Sequence, residues 1–239
     1  PEPFRQAISQ IEAGAQVAAA AAAADETTWQ ALDETGPGGG TVYRAPDGTR
    51  WEVRQYGGEA SAKKEVAALD LTRQMGVDAT PARIAQIDGE TGVAVQLDEQ
   101  LTDLTKQDLM NAPPGEIAKH FQAAVMTNNT RFIDGLKMAP DGRLVQTQAR
   151  GALGQDYKTG PDISGWFDRE AMGDVADVLR SAGMDEVTDG FVRRLRDLRL
   201  KSIEGSVYHS AMPEGPAQNR IEAIKAKRDR LIKDRNGED

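Results

Sequence analysis

The stretch from Met126 to Gly154, MTNNTRFIDGLKMAPDGRLVQTQARGALG, does most to decide how this chain is interpreted. A polar cluster is followed by a strand pattern, a Pro-Asp-Gly turn, a second strand pattern and an exit that contains glycine. Proline presets φ for the first turn residue, and glycine accepts the positive φ that closes the turn. The stretch therefore predicts a polar loop followed by a hairpin with strands at Leu136–Ala139 and Arg143–Thr147.

The same turn chemistry occurs twice more upstream, at Pro46-Asp47-Gly48 and at Asp88-Gly89. The strands predicted around these two turns are Thr41–Ala45, Arg50–Gln55, Ala82–Ile87 and Gly92–Leu97. Between the hairpins, Glu59–Met75 has apolar residues at helical spacing, and Gly76 follows as a residue that ends helices. The order hairpin, helix, hairpin predicts a small α+β lobe.

Most of the remaining chain is predicted to be helical. Residues 4–35 form an alanine-rich helix by propensity, and the run TGPGGG at Thr35–Gly40 ends it and is interpreted as a linker. After Pro113 the apolar spacing predicts a helix that faces the core and leads into the polar loop. Further helices are predicted at Val175–Ala182 and Val187–Ile203. The amphipathic tail after Pro213 is either a partner helix or a helix docked back on the domain.

Composition excludes several classes of site. The 239 residues include no cysteine and only two histidines, so disulfides, thiolate zinc sites, cysteine nucleophiles and histidine-rich metal sites are ruled out. A net charge of −9 disfavours nonspecific binding to nucleic acid, which needs a basic surface. The longest uncharged apolar run, Val17–Ala24, is too short to span a bilayer, and the first residues lack the pattern of a signal peptide. A soluble protein, cytoplasmic or virion-associated, is expected.

The residues from Trp51 to Glu99, WEVRQYGGEASAKKEVAALDLTRQMGVDATPARIAQIDGETGVAVQLDE, resemble the N-lobe of HipA-like and phosphatidylinositol 3/4-kinase-like bacterial kinases. In that family a strand bearing lysine is followed by a helix bearing glutamate. Met126–Gly154 resembles the family's catalytic segment, in which an N-x-D-x-H-x-x-N loop precedes a hairpin whose second strand ends in I-D-x-G-x-A-L. The resemblance covers Thr41–Tyr208.

The resemblance implies an α+β fold, a two-lobed kinase-like domain with helical N- and C-terminal extensions. A small hairpin–helix–hairpin lobe would be joined to a mostly helical lobe. The implied parts are an alanine-rich helical arm at 1–35, an N-lobe at 36–111, a helical C-lobe with the degenerate catalytic hairpin at 112–212, and an amphipathic helix at 213–239.

The same resemblance places Arg54 at the strand lysine and Glu65 at its partner acid. The loop Asp, the loop His, the metal-binding Asn and the final metal-binding Asp fall on Thr130, Phe132, Gly135 and Gln148. Phosphoryl transfer relies on carboxylate and amide oxygens that hold Mg²⁺ and on a base for the attacking hydroxyl. Thr, Gly and Gln offer no carboxylate, so no catalytic and no metal-binding residue is expected.

Four residues remain as candidates for contact with a cofactor: Arg54, Glu65, Asn129 and Asp134. Each has a structural alternative. Arg54 and Glu65 would also make a plain surface ion pair, and Asn128-Asn129 would also cap a turn. Asp134 is either a shifted metal ligand or part of a turn closed by glycine. No cofactor is expected beyond weakly bound nucleotide.

The leading hypothesis is a catalytically degenerate kinase-like module, of bacterial or phage origin, that binds partners or serves a structural role, in a phage or toxin-system setting. It would bind protein through the N-terminal alanine-rich helix and the C-terminal amphipathic helix, or form a homo-oligomer, with no nucleic acid and no membrane as partner. One alternative is an atypical kinase or nucleotidyl transferase that uses Asp134. Another is an unrelated α+β interaction domain, in which the helix Glu59–Met75 would not cross a sheet made by the first two hairpins.

Overall fold

The computed structural model describes residues 26–56, 58–154, 176–177, 179–180 and 188–236. Residues 4–25 of the predicted alanine-rich helix lie outside the described residues. Most of the predicted helix Val175–Ala182 lies outside them too, although Ala176 and Leu179 are helical and buried.

The first half of the described chain forms one antiparallel sheet with a helix against it. Its elements in chain order are β1 (Gln30–Thr35), β2 (Thr41–Arg44), β3 (Arg50–Gln55), α1 (Glu59–Gln74), β4 (Ala82–Ile87) and β5 (Glu90–Gln96). The strand order is β1-β2-β3-β5-β4. Both predicted hairpins and the predicted helix are confirmed, because the turn residues and the apolar spacing act locally.

Helix α1 packs against β4 and β5, so it lies against a sheet to which both hairpins contribute. Its buried side includes Ala62, Val66 and Leu69, which pack in the same core as Val93 and Val95 of β5. The chain then leaves the helix through Gly76 at a φ of 70°, the left-handed conformation that glycine adopts without strain. This arrangement is the one that the kinase-like hypothesis requires and the interaction-domain hypothesis does not.

The prediction of a helix over residues 4–35 is wrong for Gln30–Thr35, which form strand β1. Gln30 and Ala31 pair with β2, and Trp29 just before the strand stacks on Trp51 with ring centroids 5.6 Å apart. Pairing and aromatic burial outweigh a local preference for helix. The run Thr35–Gly40 is therefore a hairpin loop between β1 and β2. The linker interpretation is wrong, and the boundary proposed between residues 35 and 36 falls inside this hairpin.

The rest of the described chain is mostly helical and includes a small second sheet. Its elements are β6 (Thr102–Asp103), α2 (Lys106–Asn111), α3 (Pro114–Thr127), β7 (Leu136–Met138), β8 (Leu144–Gln146), α4 (Asp189–Asp197), α5 (Leu200–His209) and α6 (Glu214–Asn236). The third predicted hairpin is confirmed as β7 and β8, with β6 beside β7. The buried face of α3 carries Ile117, Phe121 and Val125, as its spacing predicts.

The single helix predicted at Val187–Ile203 is wrong, because two helices, α4 and α5, occupy that range. They are separated at Leu198 and Arg199, where the backbone is not helical. The Leu198 side chain is buried, and its carbonyl oxygen accepts a hydrogen bond of 3.1 Å from Arg228 of α6. A partner distant in the sequence thus takes the carbonyl that a continuous helix would use.

Helix α6 docks back on the domain. Ala217, Ile221, Ile224 and Leu231 are buried in the same core as α1, α3 and α5. Docking is therefore the correct one of the two alternatives for the tail, and its apolar side is occupied within this chain. None of the helices in the described ranges is both long and apolar enough to cross a membrane.

Candidate functional site

Alternate residues of a strand point to the same face of a sheet, so Glu52 and Arg54 of β3 lie side by side under α1. Arg54 is 2% exposed and Glu52 is 0% exposed. Arg54 Nη2 lies 2.8 Å from Glu52 Oε2, and Arg54 Nη1 lies 3.4 Å from Glu65 Oε1 of α1. The Arg54–Glu65 pair therefore forms as the resemblance predicts, in the interior and not at the surface.

Both members of the pair also form hydrogen bonds with the segment that follows β8. Arg54 Nη1 donates to the carbonyl oxygen of Thr147 at 3.1 Å, and Glu65 Oε1 accepts from the backbone N–H of Ala149 at 3.1 Å. Burial raises the pKa of the Glu65 carboxyl, and the Arg54 guanidinium opposes that rise. The ion pair thus joins strand β3, helix α1 and the segment after the third hairpin.

The loop between β1 and β2, residues 36–40, lies directly on this cluster, and we call it the glycine loop. The Gly40 N–H donates to Glu52 Oε1 at 2.9 Å, and Arg150 Nη2 donates to the carbonyl oxygen of Gly38 at 2.6 Å. A Cβ atom at Gly38 would collide with the Arg54 guanidinium. Glycine is therefore required there by close approach and not by linker flexibility.

A cavity of about 150 Å³ adjoins the cluster. Residues of its wall come from the glycine loop, from β3, from the connection after β5 and from the second sheet, and include Pro37, Glu52, Arg54, Leu97, Lys137 and Thr147. Pockets that hold drug-sized ligands measure roughly 300–1,000 Å³. This cavity is smaller, and an engineered cavity of similar size is known to hold a single benzene ring.

The polar loop after α3 is built as a turn. Asn128 adopts the left-handed conformation, with φ 52° and ψ 37°, and closes the end of α3, as the capping interpretation predicts. Asn129 is buried, and its Nδ2 lies 3.5 Å from the carbonyl oxygen of Gln148. Asp134 is 61% exposed and pairs with Arg131 at 2.9 Å. Of the four candidate residues, Arg54 and Glu65 contact each other, Asn129 reaches the segment after β8, and Asp134 lies at the surface.

Gly135, where the sequence resemblance places a metal-binding Asn, has no room for a side chain. A Cβ at Gly135 would lie 2.6 Å from both the carbonyl oxygen of Gln148 and the Nε2 of Gln146. That Gln146 amide donates to the carbonyl oxygens of Phe132 and Gln148, at 2.9 and 2.6 Å. Across the part of the chain that the structure describes, no group of three His, Asp or Glu side chains is arranged to hold a metal ion.

Sequence inspection missed Glu52, Arg150 and the glycine loop. A signal existed for Glu52, because a residue two positions from a buried strand arginine shares its face. The glycine run is a signal for a hairpin loop, but the high helix propensity of the residues before it hides β1. No local pattern marks Arg150 as the partner of Gly38, since the contact spans 112 residues.

Comparison with solved structures shows which known fold this chain resembles. No protein-family model matches the chain, and no curated protein matches it. Among solved structures it is similar to the proinflammatory kinase CtkA of Helicobacter pylori, with a TM-score of 0.58 and 11% identity over 87% of this chain and 96% of that one. It is also similar to an N-terminal fragment of LepB from Legionella pneumophila, with a TM-score of 0.54 and 9% identity over 80% of this chain. It spans 46% of that fragment. The chain has a kinase-like fold.

Proposed function

We propose that the chain is a pseudokinase, a kinase-like module that binds partners and does not transfer phosphoryl groups. The observation that carries the proposal is the filled position at Gly135. The Gln146 amide and the Gln148 carbonyl stand where a metal-binding side chain would have to fit. The loss of the metal ligand is therefore built into the packing of the hairpin and is more than a change of one residue.

The state of Arg54 supports the same conclusion. Phosphoryl transfer needs a cation that is free to hold phosphate oxygens and metal ligands that neutralise the charge that develops. Both terminal nitrogens of Arg54 are already bound, to Glu52, to Glu65 and to the carbonyl oxygen of Thr147. A triphosphate would have to break buried ion pairs to reach this guanidinium.

The work of such a module is done by its surfaces. Because the apolar side of α6 is buried in the domain, a protein partner of this helix would meet its polar side, which is exposed at residues such as Gln218 and Arg230. We also expect the alanine-rich N-terminal segment to bind a protein partner, or the chain to form a homo-oligomer. The resemblance to HipA-like kinases extends the proposal to a bacterial or phage setting, as a phage-associated or toxin-system component in the cytoplasm or in a virion.

The direct test is ATP turnover by the purified full chain with Mg²⁺ or Mn²⁺, with CtkA assayed in parallel. We expect no ADP release above a protein-free blank and no metal-dependent thermal shift with ATP. Metal-dependent turnover would refute the proposal. If that turnover also disappeared in Asp134→Asn, the atypical-enzyme alternative would replace it.

A further inference from the structure

The Glu52 carboxylate occupies a position with the chemistry of an oxyanion site. One of its oxygens accepts the Gly40 N–H of the glycine loop at 2.9 Å, and the other accepts the Arg54 guanidinium at 2.8 Å. Backbone N–H groups of glycine-rich loops and guanidinium groups are the donors with which proteins hold phosphate. Here the oxyanion held by these donors belongs to the chain itself.

We propose that Glu52 is an internal ligand that fills an oxyanion site beneath the glycine loop and holds this loop shut. Without the carboxylate, the Gly40 N–H and Arg54 would take a free oxyanion of the phosphate type. The inference rests on the proposed function, since it explains in chemical terms why this cleft takes no triphosphate. It also names the kind of ligand, a phosphate-type oxyanion, that the site beneath the glycine loop would bind if Glu52 did not fill it.

Charge balance around the site favours this assignment. Two carboxylates, Glu52 and Glu65, pair with the Arg54 guanidinium. A second guanidinium, that of Arg150, belongs to the same set of charges, since it lies near enough to act to lower the pKa of the Glu65 carboxyl. The set is neutral, so an added anion gains no net attraction. Loss of the Glu52 charge would leave these side chains with a net positive charge. Because the site is buried, their attraction for an anion would be stronger than in water.

The space also suits an oxyanion. Glu52 and Arg54 both line the cavity of about 150 Å³, so there is room beside these two residues. A phosphate ion is about as large as a carboxylate with the methylene group that bears it. Replacement of Glu52 by alanine would therefore free a volume of the right size between the Gly40 N–H and the Arg54 guanidinium.

The loop itself is tied down at two points. Glu52 holds Gly40, and Arg150 holds the carbonyl oxygen of Gly38. Arg150 is exposed, whereas Glu52 is fully buried. If Glu52 is the internal ligand, its removal should create anion binding, whereas removal of Arg150 should only loosen the loop.

The test compares phosphate and pyrophosphate binding by the full chain and by Glu52→Ala, measured by calorimetry at constant ionic strength set with chloride. We expect Glu52→Ala to bind pyrophosphate at least tenfold more tightly than the wild type. The matched control is Glu99→Ala, which also removes a carboxylate paired with an arginine but on the exposed connection after β5. Equal pyrophosphate affinity in Glu52→Ala, Glu99→Ala and the wild type would overturn the inference.

Two further measurements decide the matter if Glu52→Ala does not fold. Glu52→Ser removes the carboxylate and most of its volume but keeps a hydroxyl for hydrogen bonding, and a folded Glu52→Ser that shows no gain in pyrophosphate affinity also overturns the inference. In the wild type, the Gly40 amide, which donates to Glu52, should exchange its hydrogen at least tenfold more slowly than the amide of an unstructured glycine; exchange at the unstructured rate would contradict the held loop. ATP turnover by the wild type would refute the proposed function and leave these arms unchanged, so the two failures are distinguishable.

Discussion

The buried cluster around Arg54 and the polar loop that leads to the third hairpin are the two regions that the sequence resemblance compares with a kinase site, and they differ in the charges that they carry. The cluster keeps a cation–acid pair, Arg54 with Glu65, although the cation is arginine. The loop presents Thr130, Gly135 and Gln148 at the positions where the sequence resemblance to HipA-like kinases would place Asp, Asn and Asp. One region carries the charges that the resemblance implies, and the other does not.

Physical interdependence accounts for the difference. The charges of the cluster are buried, so the loss of one leaves its partners unpaired in the interior at high cost. The polar loop has no such constraint, because its positions are now occupied by backbone and amide groups that bond to one another. A buried ion pair of this type is needed for the stability of the fold. Its presence alone is therefore no evidence of phosphoryl transfer.

The largest expected effect comes from breaking the cluster. Arg54→Ala would leave Glu52 and Glu65 buried without their cation and should lower the free energy of unfolding by about 3–5 kcal/mol. Urea denaturation measures the loss. The control in the polar loop is Arg131→Ala, whose exposed pair with Asp134 should contribute only about 0–1 kcal/mol. Similar losses in the two variants would contradict the contrast between the two regions.

The next effect concerns His120, which anchors the third hairpin from α3. Its Nε2 lies 2.9 Å from the carbonyl oxygen of Leu144, and burial lowers its pKa to about 4. In the unfolded state His120 binds a proton more readily than in the folded state. The stability of the folded state that depends on neutral His120 is therefore complete above about pH 6.5 and is lost as the pH falls toward 4. The loss amounts to about 1.4 kcal/mol of unfolding free energy for each pKa unit. His120→Gln should show a flatter dependence of unfolding free energy on pH in that range. Identical slopes for the variant and the wild type would show that His120 is not the group responsible.

A smaller loss is expected from Gly135→Asn, which introduces the residue type that the sequence resemblance places at a metal site. The new Cβ would press on the Gln148 carbonyl and the Gln146 amide, and overpacking of this kind costs about 1–3 kcal/mol. The double variant Gly135→Asn/Gln146→Ala should recover part of the loss in a thermal denaturation experiment. A stable single variant would mean that the position is not filled, and the main support for the proposed function would be lost.

Much of the fold was predictable because its determinants are local. The Pro-Asp-Gly and Asp-Gly turns identify three hairpins, and apolar spacing identifies α1 and α3. The Arg54–Glu65 pair was predictable from the resemblance to a kinase family, although its burial was not. The position of Asn128 at a helix end was predictable from the turn preference of asparagine alone.

Tertiary contacts decided the remaining features. Strand β1, the break at Leu198 and the docking of α6 depend on Trp51, Arg228 and the shared core, which are distant in sequence, so no local pattern reveals them. The same holds for the site. The sequence by itself determined that Gly135 and Gln148 stand at the positions where the resemblance places metal ligands. Only the fold showed that Glu52 meets the glycine loop, because the pairing of β2 with β3 brings the loop over a carboxylate that the local pattern leaves unmarked.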